Sequence, residues 1–443
     1  MDEKTLVTLE FPKVLDRLAE YASFSASAEL ARALRPTIKL DAAREKLALT
    51  AEARLLLSTN AAVSIGGATD IRPLLAVARR SGVLAAGELL DVKATLMSSR
   101  ELFRIFEKQA GQLPLLSAIA AALQPPPGII EAVSRAISDR GDILDSASPK
   151  LASIRSELKI AHDRLLSRLE RMIGDPKNAP VLQEPIITQR NGRYVIPLRA
   201  DFKGRIRSIV HDQSASGATL FVEPLVVVEM NNRWHELQLE ERDEERRILA
   251  ELTDMVGKHA DTIAAIVVAL AQLDLALMCG KYAEDLRASA PLLHPIAPPA
   301  KLHHPGTTLK LYQARHPLLD PQSVVPIDVV LDEKTFAVVI TGPNTGGKTV
   351  TLKTVGLMSA MAQSGLHIPA LSGSELSIFD NIFADIGDEQ SIEQSLSTFS
   401  GHVTNIVRII SRAGSKTLVL LDELGAGTDP QEGAALARSI LSY

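Results

Sequence analysis

The 443-residue sequence holds a single cysteine, Cys279. One cysteine excludes an internal disulfide framework and any Cys-based zinc site built within one chain. Its apolar neighbours Ala276, Leu277 and Met278 mark it as a small buried residue. Aromatic residues are scarce at 4%, and the sequence is rich in Ala, Leu, Arg and Glu, which leans towards long helices. Basic charge is not in excess: 48 Lys and Arg against 53 Asp and Glu leave a formal net charge of −5. That balance argues against a chain coated in positive charge but permits a local basic face. The most apolar segment, 263–279, is interrupted by Gln272 and Asp274 and falls short of a membrane span. Met1-Asp2-Glu3-Lys4 carries no apolar signal region. The expectation is a cytoplasmic protein without a membrane segment, and a chain of this length calls for two or three domains.

What is present begins with helical periodicity. Phe11, Val14, Leu15 and Leu18 recur at three and four, and similar stripes continue to about Leu123. Ser148-Pro149 reads as an N-cap followed by proline at the first helical position. Leu151, Ile154, Leu158, Ala161, Leu165 and Met172 then form a narrow heptad seam. The seam returns at Val227, Met230, Trp234 and Leu237, and resumes from Ile248 to Leu277. A continuous helix over 226–282 would run roughly 85 Å. The charged run 240–247 between the two stretches reads as a solvated helix face. Between the helical runs, residues 186–221 are β-prone and punctuated by Gly192, Gly204 and Gly217. The economical reading is an antiparallel pair of helical arms with a β-structured tip; the alternative is an α+β domain with one unusually long helix. After Pro291 helix and strand signals alternate, so 291–443 reads as an α/β domain, after a helical region over 1–147 and the arms over 148–290 with a β insert at about 180–225.

The α/β region holds the most specific signal. Gly342-Pro343-Asn344-Thr345-Gly346-Gly347-Lys348-Thr349 fits the P-loop pattern, between an apolar run at 336–341, expected as a strand buried on both faces, and a helical stretch from Val350. Such a loop cradles phosphates with backbone N–H groups and a helix N-terminus. Lys348 would reach the β- and γ-phosphates, and the Thr349 hydroxyl would ligate Mg²⁺. A second apolar run, 417–421, is expected as a buried strand beside the first and ends in Asp422-Glu423. Asp422 is the expected metal-side carboxylate, and Glu423 the group that orients or deprotonates an attacking water.

The segments Gly342–Thr349 and Asp422-Glu423-Leu424-Gly425-Ala426-Gly427-Thr428-Asp429-Pro430, with Ser397-Thr398-Phe399 between them, resemble the MutS branch of the ABC-type ATPases. Leu9-Glu10-Phe11, Arg193-Tyr194-Val195-Ile196-Pro197 and the stretch 210–224 are similar to its short bacterial paralogue group, MutS-two. The resemblance implies a multidomain protein: a helical lever region, a clamp on helical arms with a small β tip, then the P-loop ATPase domain. It implies ATP and Mg²⁺ as ligands, Ser397 completing a partner subunit's nucleotide site, and hence a homodimer. It places the adenine pocket around Val325-Pro326. It also implies that the family continues past Tyr443 with the rest of the ATPase fold, a switch-histidine strand and a Smr nuclease domain. On that expectation the chain is truncated, and endonuclease activity falls on none of its residues.

Family members are associated with branched DNA and suppression of homologous recombination, and also with splitting collided ribosomes. A basic strip at the tip, Arg190, Arg193, Arg199, Lys203, Arg205 and Arg207, would meet phosphates without reading sequence, or is simply a solvated surface. Three readings follow: an ATP-driven DNA clamp, a ribosome-acting ATPase on ribosomal RNA, and a nucleotide- or DNA-binding fragment without turnover.

Overall fold

The three- and four-residue apolar spacing of the first third is realised as helices. They are α1 (Glu3–Thr8), α2 (Phe11–Ala19), α3 (Ser25–Arg32), α4 (Leu40–Thr59), α5 (Arg72–Arg79), α6 (Ala86–Gln109), α7 (Pro114–Ala120) and α8 (Ile129–Ala136). The long α9 (Pro149–Ile173) leads to strands β1 (Thr188–Arg190), β2 (Arg193–Arg199), β3 (Ser208–Gln213) and β4 (Thr219–Pro224). Helices α10 (Val228–Lys258) and α11 (Ala260–Asp285) return. Then follow β5 (Leu292–His294), β6 (Leu309–Ala314), β7 (Ile327–Leu331), α12 (Lys348–Ser364), β8 (Glu375–Ser377) and β9 (Asn381–Asp385). α13 (Ser395–Arg412), β10 (Thr417–Leu421) and α14 (Pro430–Ser442) complete the order. This computed structural model describes residues 2–60, 63–296, 304–332, 335–342, 346–387, 395–425 and 429–442, with the side chains of 395–401 and 430 outside the description.

The chain forms two compact units, one of Ile71–Met97 and Pro126–Ala264. Here α9 starts where expected: Ser148 Oγ accepts the Leu151 N–H at 3.0 Å, with Pro149 at the first helical position. The seam residues Leu151, Ile154 and Leu165 of α9 are buried, as are Trp234, Leu237, Ile248 and Leu252 of α10. The two helices run antiparallel, with Ser148 bonded to Glu244 and Arg233 to Glu157. Between them in the chain lies an antiparallel sheet of order β1-β2-β4-β3, with a bulge between Val210 and Asp212. Ile196, Leu198, Leu220 and Val222 on its inner face share one core with Leu165, Leu169 and Trp234. Each such side chain contributes about 1.5–3 kcal/mol relative to exposure.

Two expectations need correction in this unit. The charged run is not merely a solvated face. Glu244 is 1% exposed and accepts from Ser148 Oγ at 2.8 Å and Arg247 Nη2 at 2.6 Å. Arg155 of α9 bonds Glu241 and Glu245 at 2.7 and 2.8 Å. Partners about 90 residues apart are invisible to an i,i+4 reading. The return helix is also not continuous: it breaks at His259, with φ −108° and ψ 14°. A Cβ at Gly257 would lie 2.8 Å from the Ala78 carbonyl oxygen, so the end of α5 abuts the α10 backbone where glycine weakens the helix.

The other unit comprises Met1–Asp70, Ser98–Pro125 and Ala265–Tyr443. A sheet of order β5-β8-β6-β7 has β5 and β8 parallel and β6 antiparallel to β7 and β8. β9 and β10 form a separate parallel pair. Leu9, Phe11, Leu18, Met278, Leu311, Leu357, Met361, Ile382 and Leu420 belong to one buried cluster, with α12 running through it. Leu9 lies against Gly356 of α12, where a Cβ would come within 2.5 Å of Leu9 Cδ2. Cys279 is buried, and burial pushes its thiol up to about 12. The 26-residue α11 is long and apolar enough to cross a membrane, but 72% of its most apolar window is buried within the protein, as in a core helix.

The run 336–341 is not a strand. Phe336, Val338 and Val339 are 55, 51 and 65% exposed, and the described residues provide it with no ladder partner. A strand needs hydrogen-bonded neighbours and covered faces, and an apolar sequence alone supplies neither. β10 accordingly pairs with β9 and is half-buried, with Leu420 its one buried residue.

Candidate nucleotide-binding site

α12 opens immediately after Gly346-Gly347. Gly347 takes φ 78° and Gly342 φ 146°, conformations that side-chain-bearing residues rarely adopt. Among the described residues a Cβ at either would meet nothing within 4 Å, so the positive φ rather than crowding favours glycine at both. Among the described residues no side chain caps the first turn of α12, and a helix N-terminus favours an anion. Lys348 turns back towards Gly342, and its Nζ donates to the Gly342 carbonyl at 2.6 Å.

The acidic strand end comes to the same place. Thr349 Oγ1 donates to Asp422 Oδ2 at 2.5 Å. The Asp422 N–H donates to the Asp385 carbonyl at 2.9 Å, continuing the β9–β10 ladder in which Leu421 faces Asp385. Glu423 has a left-handed φ of 47°, and its N–H donates to Asp422 Oδ1 at 3.1 Å. Both oxygens of Asp422 are thereby held while the Glu423 side chain stands exposed beside them. Of the expected loop residues, Gly342, Gly346, Gly347, Lys348 and Thr349 are described. Pro343, Asn344 and Thr345 lie outside the described residues, as does 426–428. Ser397 falls in the first turn of α13, its side chain outside the description. Val325 precedes β7 and is 78% exposed.

The donor set fits a Mg²⁺–nucleotide. A hydroxyl and a carboxylate supply hard oxygens, and among the described residues no group of three or more His, Cys, Asp or Glu could cage a metal. Mg²⁺ is ordinarily held by one or two protein oxygens and otherwise by water and phosphate.

Sequence reasoning missed Asp385, whose carboxylate accepts from Asn405 at 2.7 Å and His402 at 3.0 Å. Its signal was there: Ile382-Phe383-Ala384-Asp385 is an apolar run ending in an acid, as 417–422 is.

The basic strip divides in two. Arg193 bonds buried Glu223 at 2.9 Å and Asn232 at 2.7 Å, and Glu223 also accepts from Asn231 and pairs with His211 at 2.6 Å. Arg190 lies 4.1 Å over the Phe221 ring and pairs with Asp212 at 3.1 Å. Arg199, Lys203, Arg205 and Arg207, around the β2–β3 connection, are exposed.

The MutS domain V family model matches residues 338–443. Over 445 residues the chain is 49% identical to Endonuclease MutS2 of Thermomicrobium roseum, covering 100% of this chain and 56% of that protein. It is 46% identical over 445 residues to Endonuclease MutS2 of Symbiobacterium thermophilum, covering 100% of this chain and 54% of that protein. Against Endonuclease MutS2 of Pelotomaculum thermopropionicum it is 48% identical over 441 residues, covering 100% and 55%. The chain spans about half the length of the curated relatives it matches. The similarity runs from the first helices to the acidic strand end, and the chain is a member of the MutS family of the MutS2 type.

Proposed function

We propose that this chain forms the nucleotide-binding and DNA-clamping part of a homodimeric ATPase that acts on branched DNA. The observation that carries the reading is the hydrogen bond from Thr349 to Asp422, which joins the phosphate loop to the acidic strand end. Lys348 and the loop N–H groups hold the phosphates, and Thr349 with Asp422 would hold Mg²⁺. Mg²⁺, when bound, would neutralise phosphate charge. Glu423, exposed at the strand end, orients or deprotonates the attacking water. Ser397 at the start of α13 serves the partner's site, so two copies complete each other.

The lever (1–147), clamp (148–290) and ATPase (291–443) division belongs to the same reading. The antiparallel α9 and α10 are the clamp arms, and the sheet β1-β2-β4-β3 is the tip. Arg199, Lys203, Arg205 and Arg207 support it as phosphate contacts, because their guanidinium and ammonium groups are exposed rather than spent in the fold.

The test is ATP turnover with four-way-junction DNA, with linear duplex, and with stacked ribosomes. Stimulation by the junction above duplex is expected. Stimulation by ribosomes alone would move the target to ribosomal RNA. Nucleotide binding without phosphate release under all three conditions would leave a binding module without turnover.

A further inference from the structure

We infer that Asp385 is a positioning residue that ties helix α13, and with it Ser397, to the acidic end of β10; this rests on the nucleotide-site reading above. Asp385 closes β9 opposite Leu421, and its main-chain carbonyl accepts the N–H of Asp422, the acid bonded to Thr349. Its carboxylate serves α13: Oδ1 accepts from Asn405 Nδ2 at 2.7 Å, and Oδ2 from His402 Nδ1 at 3.0 Å. Asp385 and Asn405 are 6 and 8% exposed, so the bond between them is made away from water, while His402 is partly exposed. One residue thus joins the metal-side acid through its backbone and successive turns of α13 through its side chain.

The neighbouring groups fix this arrangement. Asn405 Oδ1 accepts from Arg408 Nη2 at 3.0 Å and Lys4 Nζ at 3.5 Å, which orients the amide so that its NH₂ faces Asp385. Arg408 is held in turn by Asp2, the N-cap of α1, at 2.9 Å. A carboxylate accepts only, so the proton of the His402 contact is on Nδ1. Gly387 leaves room for that ring, since a Cβ there would come within 3.2 Å of His402 Cε1. Buried Ile406 and Ile409 supply apolar attachment, which is non-directional and does not set the rotation of α13. The Asp385 bonds are directional and, together with the Arg408–Asp2 and Lys4–Asn405 bonds, set it. A shift of Asp422 on nucleotide binding is therefore delivered to the helix that carries Ser397.

The test is amide hydrogen exchange of α13 in the 443-residue chain, with and without Mg²⁺ and a non-hydrolysable ATP analogue. In the wild type the analogue is expected to slow exchange over 402–412 about tenfold. Asp385→Ala should bind the analogue with an affinity within about threefold of wild type but lose this slowing. Asp385→Asn should keep it, because the amide oxygen accepts from Asn405 and the NH₂ can donate to a neutral His402 Nδ1. Should Asp385→Ala not fold, His402→Phe removes one donor while filling the space, and is expected to lose at least about half of the slowing. Asp385→Ala that raises exchange equally with and without analogue, leaving the nucleotide-dependent difference intact, would show a merely structural role and overturn the inference. Binding by the wild type without any change in α13 would overturn it alone. Absence of analogue binding by the wild type would overturn the nucleotide-site reading and the inference together.

Discussion

Thr349 and Asp422 are 73 residues apart in sequence and share a 2.5 Å hydrogen bond at the mouth of the phosphate loop. The hydroxyl begins a helix and the carboxylate ends a strand, so two separate rules of backbone geometry converge on one point. The exposed Glu423 follows directly, with its backbone turned to φ 47°.

That geometry separates binding from chemistry. Glu423→Ala should bind nucleotide with an affinity within about threefold of wild type and lose hydrolysis by about 10²–10⁴-fold, the range of a general base. Single-turnover phosphate release checks it. Normal hydrolysis by the variant would remove Glu423 from the mechanism.

At the tip, exposed cations stand apart from Arg193, which is spent on buried Glu223. Replacing Arg199, Lys203, Arg205 and Arg207 by alanine should reduce the slope of log affinity against log salt by about 3.6 on duplex arms. Thermal stability should stay near wild type. Arg193→Ala should do the reverse, because it takes a guanidinium from Glu223, which is fully buried. The expected cost is about 3–5 kcal/mol, read by urea denaturation. An unchanged salt slope in the fourfold variant would leave the strip a solvated surface.

Ser148 has two tasks in one hydroxyl, capping α9 and donating to buried Glu244. Burial opposes the charge on Glu244, but the Arg247 hydrogen bond chiefly, with those from Ser148 and Lys150, holds its carboxyl down to about 2. Ser148→Ala should cost about 1–3 kcal/mol. Denaturant midpoints measure it, and a change below about 0.5 kcal/mol would mean that water replaces the hydroxyl in both tasks.

Acid should destabilise the unit that holds the phosphate loop. Burial pushes the imidazoles of His316 and His367 down to about 4. His367 Nδ1 faces Arg54 at 3.1 Å, which further disfavours a charged ring. Between pH 6.5 and 4 an unfolded chain binds protons at these positions that the folded chain does not. Their contribution is therefore complete above about pH 6.5 and falls as pH drops, by up to about 1.4 kcal/mol per unit for each histidine. Urea denaturation from pH 7.5 to 5 should show this slope, and His316→Gln with His367→Gln should flatten it. An equal slope in the double variant would place the acid sensitivity elsewhere.

Much of this was legible in the sequence, for identifiable reasons. The loop from Gly342 to Thr349 is local chemistry at fixed spacing, and the seam of Leu151, Ile154 and Leu165 is a periodicity that the helices retain. What escaped depends on distant partners. Glu244 looks like any surface glutamate until Ser148 meets it, and Asp385 like a loop acid until His402 and Asn405 fold over it. The run 336–341 misled for the converse reason: its apolar composition suits a central strand, but strand formation depends on neighbours that composition does not encode.

The most direct test is equilibrium binding of ATP in the presence of Mg²⁺, measured by calorimetry for the wild type and Lys348→Ala. Saturable binding is expected for the wild type and an affinity at least about tenfold weaker for the variant, because a charge-assisted phosphate contact is worth about 1.5–3 kcal/mol. Equal affinity in both proteins, or no binding by the wild type, would contradict the claim that Lys348, Thr349 and Asp422 form a nucleotide site.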